Sequence, residues 1–345
     1  MGWLTGYAYR KSHVINAASG AGTLYQIPII IHSGSGTDSG NDVYLNGHAL
    51  NFPNDIRITK DDGTTLLDHF CEDLTADPAK FWLEESDDLS SVNRTIYVYY
   101  GKSGDATASN GANTFLFFDH FTSFDTTTIW SAVHQEGSQT ITDGTILDFQ
   151  TDNYPNALTD YWRVVSQASH SPPFALMTRM KQKFDYARET MAGLVQTATS
   201  SYSPTCECLH FRNVRYENWK SRSYVSAEVV TDLGVTAIDY HVLTVGYISG
   251  SHALFYIDGV QKADHTTQVP TSNQIIQYYF KATSTSQAGF LIDWVAKRKF
   301  VYPEPTHGSW GSEETSGWTG KISGVTNPAK VMGVPVANIA KVKGV

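Results

Sequence analysis

The sequence predicts an all-β protein: two antiparallel β-sandwich domains of jelly-roll type and a short β-rich C-terminal tail. Three observations predict it. Short segments alternating apolar and polar residues recur along the chain, Asp-Gly pairs punctuate them, and no segment carries three turns of amphipathic helix. At 345 residues the chain is long for one core and suits two sandwiches. Its 19 Tyr and 16 Phe fit pleated, half-buried strands.

The first domain is expected at 1–113. Leu24–His32 reads as a strand, with Pro28 marking an edge or a bulge. Gly34–Asn46 is a loop rich in Gly, Ser and Asp. Asp55–Thr59 alternates and runs into the turn Asp61-Asp62-Gly63. Thr95–Tyr100 places Ile96, Val98 and Tyr100 on one face and Tyr97 and Tyr99 on the other, the pattern of a central strand. The stretch 101–113, rich in Gly, Ser, Ala and Asn, reads as a linker.

The second domain is expected at 114–311. Asp143-Gly144 and Asp258-Gly259 each sit between alternating segments and predict type I′ hairpins. Trp162–Val165, Phe174–Met180, Asp239–Tyr247, Gln274–Lys281 and Gly289–Phe300 supply further strands. Short strands at this spacing suit a sandwich.

The tail, 312–345, repeats Lys-(Ile/Val)-x-Gly-Val from Lys321 to Val325, Lys330 to Val334 and Lys341 to Val345. Strands this short bury no face alone, so pairing with the parent domain or with another subunit is expected, making these residues an assembly segment.

The formal charge of −9, without a basic stripe, disfavours nucleic acid. No apolar run approaches the length of a membrane helix, so membrane insertion is not expected. The N-terminus has neither the basic region nor the apolar core of a signal peptide, which predicts assembly without export. Cys71, Cys206 and Cys208 form no disulfide framework and read as isolated thiols.

Several motifs carry a resemblance. Tyr7-Ala8-Tyr9-Arg10-Lys11, Asp55-Ile56-Arg57-Ile58-Thr59, Asp62-Gly63-Thr64-Thr65-Leu66-Leu67 and Tyr99-Tyr100-Gly101-Lys102 resemble, in order and spacing, a family known only as domain of unknown function 2341. Ile58 and Lys102 stand where that family more often has Phe and Asn. The second domain resembles a concanavalin or laminin-G-like jelly roll: Phe117–Phe121 looks like its opening motif, Tyr256–Gly259 like its central hairpin, and Ile292-Asp293-Trp294 with Arg298–Val301 like its exit. That resemblance implies two antiparallel sheets and, commonly, glycan or protein binding. The tail resembles C-terminal segments of phage virion proteins. This implies a virion structural or adhesion protein, assembled in a host cytoplasm, whose partners are other virion proteins, copies of itself and cell-surface glycans.

Sugar recognition uses exposed aromatic platforms beside polar side chains. Trp162, Arg212, Arg215, Tyr216 and Trp219 are the candidate glycan-binding residues, with burial of Trp162 and Trp219 in the core as the alternative reading. The resemblance to laminin-G-like domains, which often hold calcium on one rim, makes calcium the candidate cofactor, with Asp119 and Asp293 as ligands and solvated turn carboxylates as the alternative reading. Hydrolysis of a glycoside with retention needs two carboxylates about 5–5.5 Å apart. No strand shows a Glu-x-Asp-x-x-Glu pattern, so no catalytic residues are expected. A freestanding carbohydrate-binding module and a jelly-roll glycoside hydrolase are the rival readings.

Overall fold

The computed structural model describes residues 2–134, 138–150, 161–184, 189–199, 201, 205–214, 217–281, 288–316 and four two-residue strands beyond them. The chain divides into two compact units, 1–114 with 303–345, and 115–302. The fold is all-β, as the alternation predicts.

In the first unit, β1 (Tyr9–Asn16), β4 (Arg57–Lys60), β7 (Arg94–Tyr100), β23 (Thr306–Trp310) and β24 (Glu314–Thr315) make one sheet, in order β23-β1-β7-β4 with β24 also on β1. A second sheet runs β3-β2-β6-β5, from Asp42–Tyr44, Tyr25–His32, Ala79–Glu85 and His69–Cys71. Ile15, Ile58, Ile96 and Val98 from one sheet and Ile27, Ile29, Ile31, Phe81 and Leu83 from the other fill the core. Strand β7 is central, as its two apolar faces require. Pro28 pairs with Trp82 of β6, whereas β3 meets only Ile30–His32, so the missing N–H breaks no ladder. The stretch 303–311, placed by sequence at the exit of the second domain, instead returns to the first unit as β23. There His13 pairs with Trp310 and Asn16 with Thr306.

The second unit holds two larger sheets. One has eight strands, with Phe117–Asp119 (β8), Ser138–Thr142 (β10), Ile146–Gln150 (β11), Phe174–Gln182 (β13), His241–Ile248 (β18), His252–Ile257 (β19), Val260–His265 (β20) and Gly289–Arg298 (β22). The other has seven: Trp130–His134 (β9), Tyr161–Ser166 (β12), Glu189–Val195 (β14), Cys208–Asn213 (β15), Asn218–Tyr224 (β16), Glu228–Thr236 (β17) and Ile275–Lys281 (β21). Both Asp-Gly turns form, with positive φ at Asp143, Gly144, Asp258 and Gly259, as type I′ geometry requires. One continuous apolar cluster, including Trp130, Trp162, Trp219, Phe211, Phe255 and Phe290, joins the sheets.

In the tail, Lys321–Ile322 pairs with Val325–Thr326 and Lys330–Val331 with Val334–Pro335. The described tail strands thus pair with each other, locally, rather than with either large sheet of the first unit. Lys341 and Val345 lie outside the described residues.

Candidate functional site

The family-like motifs of the first unit resolve into structural ties. Arg10 is buried, with its guanidinium 4.3 Å from the Trp3 ring and 4.1 Å from that of Tyr97. It donates to the Tyr99 hydroxyl at 2.7 Å and the Gly2 carbonyl at 2.8 Å, and pairs with Glu314. Burial works against this charge, but the hydrogen bonds to Tyr99 and Glu314 outweigh it and hold the pKa up. Asp55 accepts from the backbone N–H groups of Leu50 and Gly101. Arg57 pairs with Asp105, which also takes the Tyr7 hydroxyl. Tyr100 donates to Glu313. These residues fix loops and the returning C-terminal strand.

Lys11, the last residue of the first motif, does something else. It donates to Asp38 and to the Tyr44 carbonyl, both at 2.7 Å. Asp38 also accepts the Tyr44 N–H at 2.8 Å. The loop from β2 to β3 is thereby drawn up beside β23. Between them lies an open groove of about 610 Å³ lined by residues 36–40 and 308–312. Its walls are glycines, hydroxyl side chains, Asp38 and one aromatic, Trp310. Glycine is needed here for close approach: a Cβ on Gly36 would strike the Tyr44 ring, and one on Gly311 would strike the Ser12 hydroxyl.

Trp310 is half-buried and firmly held. One ring face stacks on His13, with centroids 3.8 Å apart and planes 16° apart. Its Nε1 donates to the Gly40 carbonyl at 3.0 Å. Behind it, His13 Nε2 lies 2.9 Å from His307 Nδ1. One ring donates and the other accepts, so the accepting ring is neutral. Burial pushes His13 down to about 3, helped by His307, and burial pushes His307 down to about 4. The carboxylate on the groove wall is neutralised by Lys11, so the walls offer hydroxyls, peptide groups and an indole rather than fixed net charge.

The glycan-binding residues expected from sequence are not brought together. Trp162 and Trp219 are buried in the core cluster of the second unit and cannot act as platforms. Their strands place them inward, alternating with outward Arg163 and Lys220, because the large indole gains most from full burial. Arg212 points outward but is already paired with Glu228, to which it donates at 3.2 and 3.3 Å. Arg215 and Tyr216 lie outside the described residues.

The two expected calcium ligands are also occupied by protein. Asp119 accepts from Trp130 Nε1 and the Phe121 N–H, while Asp293 pairs with Arg179 and His120. Among the described residues no group of three or more His, Cys, Asp or Glu side chains is placed to hold a metal. The three cysteines are free thiols; burial pushes Cys71 and Cys208 each up to about 12, the latter against Arg222.

On the outward side of the seven-stranded sheet, β14 presents Glu189, Met191, Gly193 and Val195, β15 presents Cys208, His210 and Arg212, and β21 presents Ile275, Gln277, Tyr279 and Lys281. Glu189 stands at the strand end opposite Lys281, with no carboxylate on the outward positions of either neighbouring strand. Nearby Glu228 is held below the usual range: burial opposes this, but its bond from Arg222 and the charge of Arg212 prevail. That is the wrong direction for a general acid.

Sequence reasoning singled out the Gly34–Asn46 loop but not its partner. The Gly308-Ser309-Trp310-Gly311-Ser312 segment, an aromatic flanked by small residues, is the local pattern that marks it. The 270-residue separation of Trp310 and Gly40 kept the pair hidden.

The profile of a domain of unknown function, DUF2341, matches residues 53–133. The match contains the Asp55, Asp62 and Tyr99 motifs and begins after Tyr7–Lys11. No curated protein matches the chain. Among solved structures, the β-glucanase of Bacillus licheniformis is similar at 14% identity and a TM-score of 0.44, over 53% of this chain and 98% of that one. A lichenase derived from a mouse hindgut metagenome is similar at 16% identity and 0.44, over 53% and 99%. A family 16 endo-glucanase from Bacteroides ovatus is similar at 14% identity and 0.42, over 53% and 99%.

Proposed function

We propose that this protein is a non-catalytic glycan-binding protein that takes a neutral saccharide in the groove between the 36–40 loop and β23. The observation that carries the reading is Trp310, an indole locked in place on the wall of a groove otherwise made of hydroxyls and peptide groups. A sugar presents just such a surface in complement: C–H patches for an aromatic face and hydroxyls for hydrogen bonds. Preorganisation helps, since an indole already stacked on His13 loses little freedom on binding. Without a free acid on the groove wall, binding rather than turnover is the chemistry on offer. This reading is independent of the virion placement implied by the tail.

The test is a glycan array probed with the full chain and with Trp310→Ala. Binding to neutral oligosaccharides is expected, weakened about thirtyfold by the substitution, the loss of a ~2 kcal/mol hot spot. An array without hits, or hits indifferent to Trp310→Ala, overturns it.

A further inference from the structure

At one end of the second unit a lysine points into the sandwich. Cross-strand pairing puts Phe117, Lys297, Leu176 and Val245 in one row. Leu176 and Val245 belong to the core, so the row faces inward and Lys297 interrupts an apolar stripe. Its Nζ lies 5.8 Å from the centroid of the buried Phe174 ring. Its hydrogen-bonding partner is His170 Nδ1, at 3.2 Å. Among the described residues no carboxylate lies within ion-pair distance of it.

His170 is itself buried, tilted between Phe117 and Phe174. Its backbone exchanges hydrogen bonds with Gln274 across an isolated bridge. His170 Nε2 and Gln274 Oε1 are both buried without a partner. An ammonium could only donate to Nδ1, whereas a neutral amine and a neutral imidazole can exchange roles. Burial pushes Lys297 below the usual lysine range, and burial together with the Lys297 charge pushes His170 down to about 4. Among the described residues His170 is the titratable group within hydrogen-bond distance of the amine, with the Phe174 ring beside it and Phe117 beside His170.

We propose that Lys297 is a carbonyl-reactive amine that condenses with small aldehydes, with His170 as its proton acceptor. A desolvated lysine without a counter-ion is the usual setting for imine chemistry. The Nζ lone pair attacks the carbonyl carbon and forms the C–N bond. The C=O π pair moves to oxygen; His170 Nδ1 relays one proton from nitrogen to that alkoxide, giving the carbinolamine, and then a second from nitrogen to its hydroxyl. That hydroxyl departs as water, and the nitrogen lone pair closes the C=N bond. Amine and aldehyde become imine and one water, with no oxidant or reductant needed. The ligand class is a small aldehyde, and the site is separate from the groove of the first unit.

The test treats the full chain at neutral pH with pyridoxal, and in parallel with formaldehyde, then traps imines with borohydride and maps them by peptide mass spectrometry. Lys297 is expected to label several-fold faster than the exposed Lys262, because a desolvated amine beside a proton acceptor is the better nucleophile. Its labelling should also reach half-maximum at lower pH than that of Lys262. His170→Gln should erase the preference. If that variant misfolds, the wild-type pH profile decides alone. Equal labelling of the two lysines, the same half-maximum, or no label on Lys297 from either aldehyde overturns the proposal.

Discussion

The two units bury polar groups in different ways. The first unit sinks ionisable groups into its interior: Arg10, Lys11, Asp55, His13, His69 and Glu85 are all buried. Each ties a loop or a distant strand to the sheet, and small sheets with little apolar area gain definition from such ties. The second unit has one large aromatic and aliphatic core. Its polar groups sit on the outward sheet face, at the sandwich end, or in paired inward knots: His265 with the hydroxyls of Ser221, Ser223 and Thr231, Gln182 with Thr190 and Asn213, and Thr178 with Tyr278. The lesson is that the unit held by ties has the crafted groove, whereas the unit held by bulk apolar burial has sealed its tryptophans away.

That comparison is sharpened first by Trp219→Ala. Removing a fully buried indole should cost about 4 kcal/mol in denaturant unfolding of the second unit, with glycan binding of the first unit unchanged wherever the second stays folded. Loss of binding at full folding would restore Trp219 as a platform. Arg10→Met comes next. It strips Glu314 and Tyr99 of their cation and should cost the first unit about 3 kcal/mol in the same measurement. A neutral result would break the claim that buried ties hold this unit.

Acid separates the units further. His13 is pushed down to about 3, and His69 and His307 each to about 4, all by burial first. Between those values and the ordinary 6.5, the unfolded chain binds more protons than the folded one. The stabilising effect of neutral burial is therefore complete above about pH 6.5 and is lost as pH falls toward 4. In the second unit His170 and His265 act the same way, but His241, raised by its hydrogen bond to Asp258, acts oppositely. Hydrogen exchange followed by peptide across that range should show the first unit opening at higher pH. The reverse order would contradict the comparison.

His265→Leu should cost the second unit about 1–2 kcal/mol, since it leaves buried hydroxyls without their partner. The smallest effect belongs to Lys60→Ala: its pair with Asp87 is near the surface, and a thermal melt should change by about 0.5 kcal/mol or less.

Much of this was legible in the residues alone. Alternation at Thr95–Tyr100 fixed a central strand because a period of two can satisfy only a pleated sheet with both faces covered. Asp143-Gly144 and Asp258-Gly259 fixed their hairpins because few residues tolerate consecutive positive φ. These are local properties, settled within a few bonds of the chain. Facing and long-range pairing are not local. Whether Trp162 and Trp219 line a surface or a core depends on which side of their strands meets the opposite sheet. Whether Trp310 closes the second unit or walls a groove in the first depends on β23 finding β1 nearly three hundred residues away. The sequence determined the strands and turns; only tertiary packing, which decides what each face is pressed against, turned a buried motif into ties and an unremarked Gly-Ser-Trp-Gly-Ser segment into the candidate site.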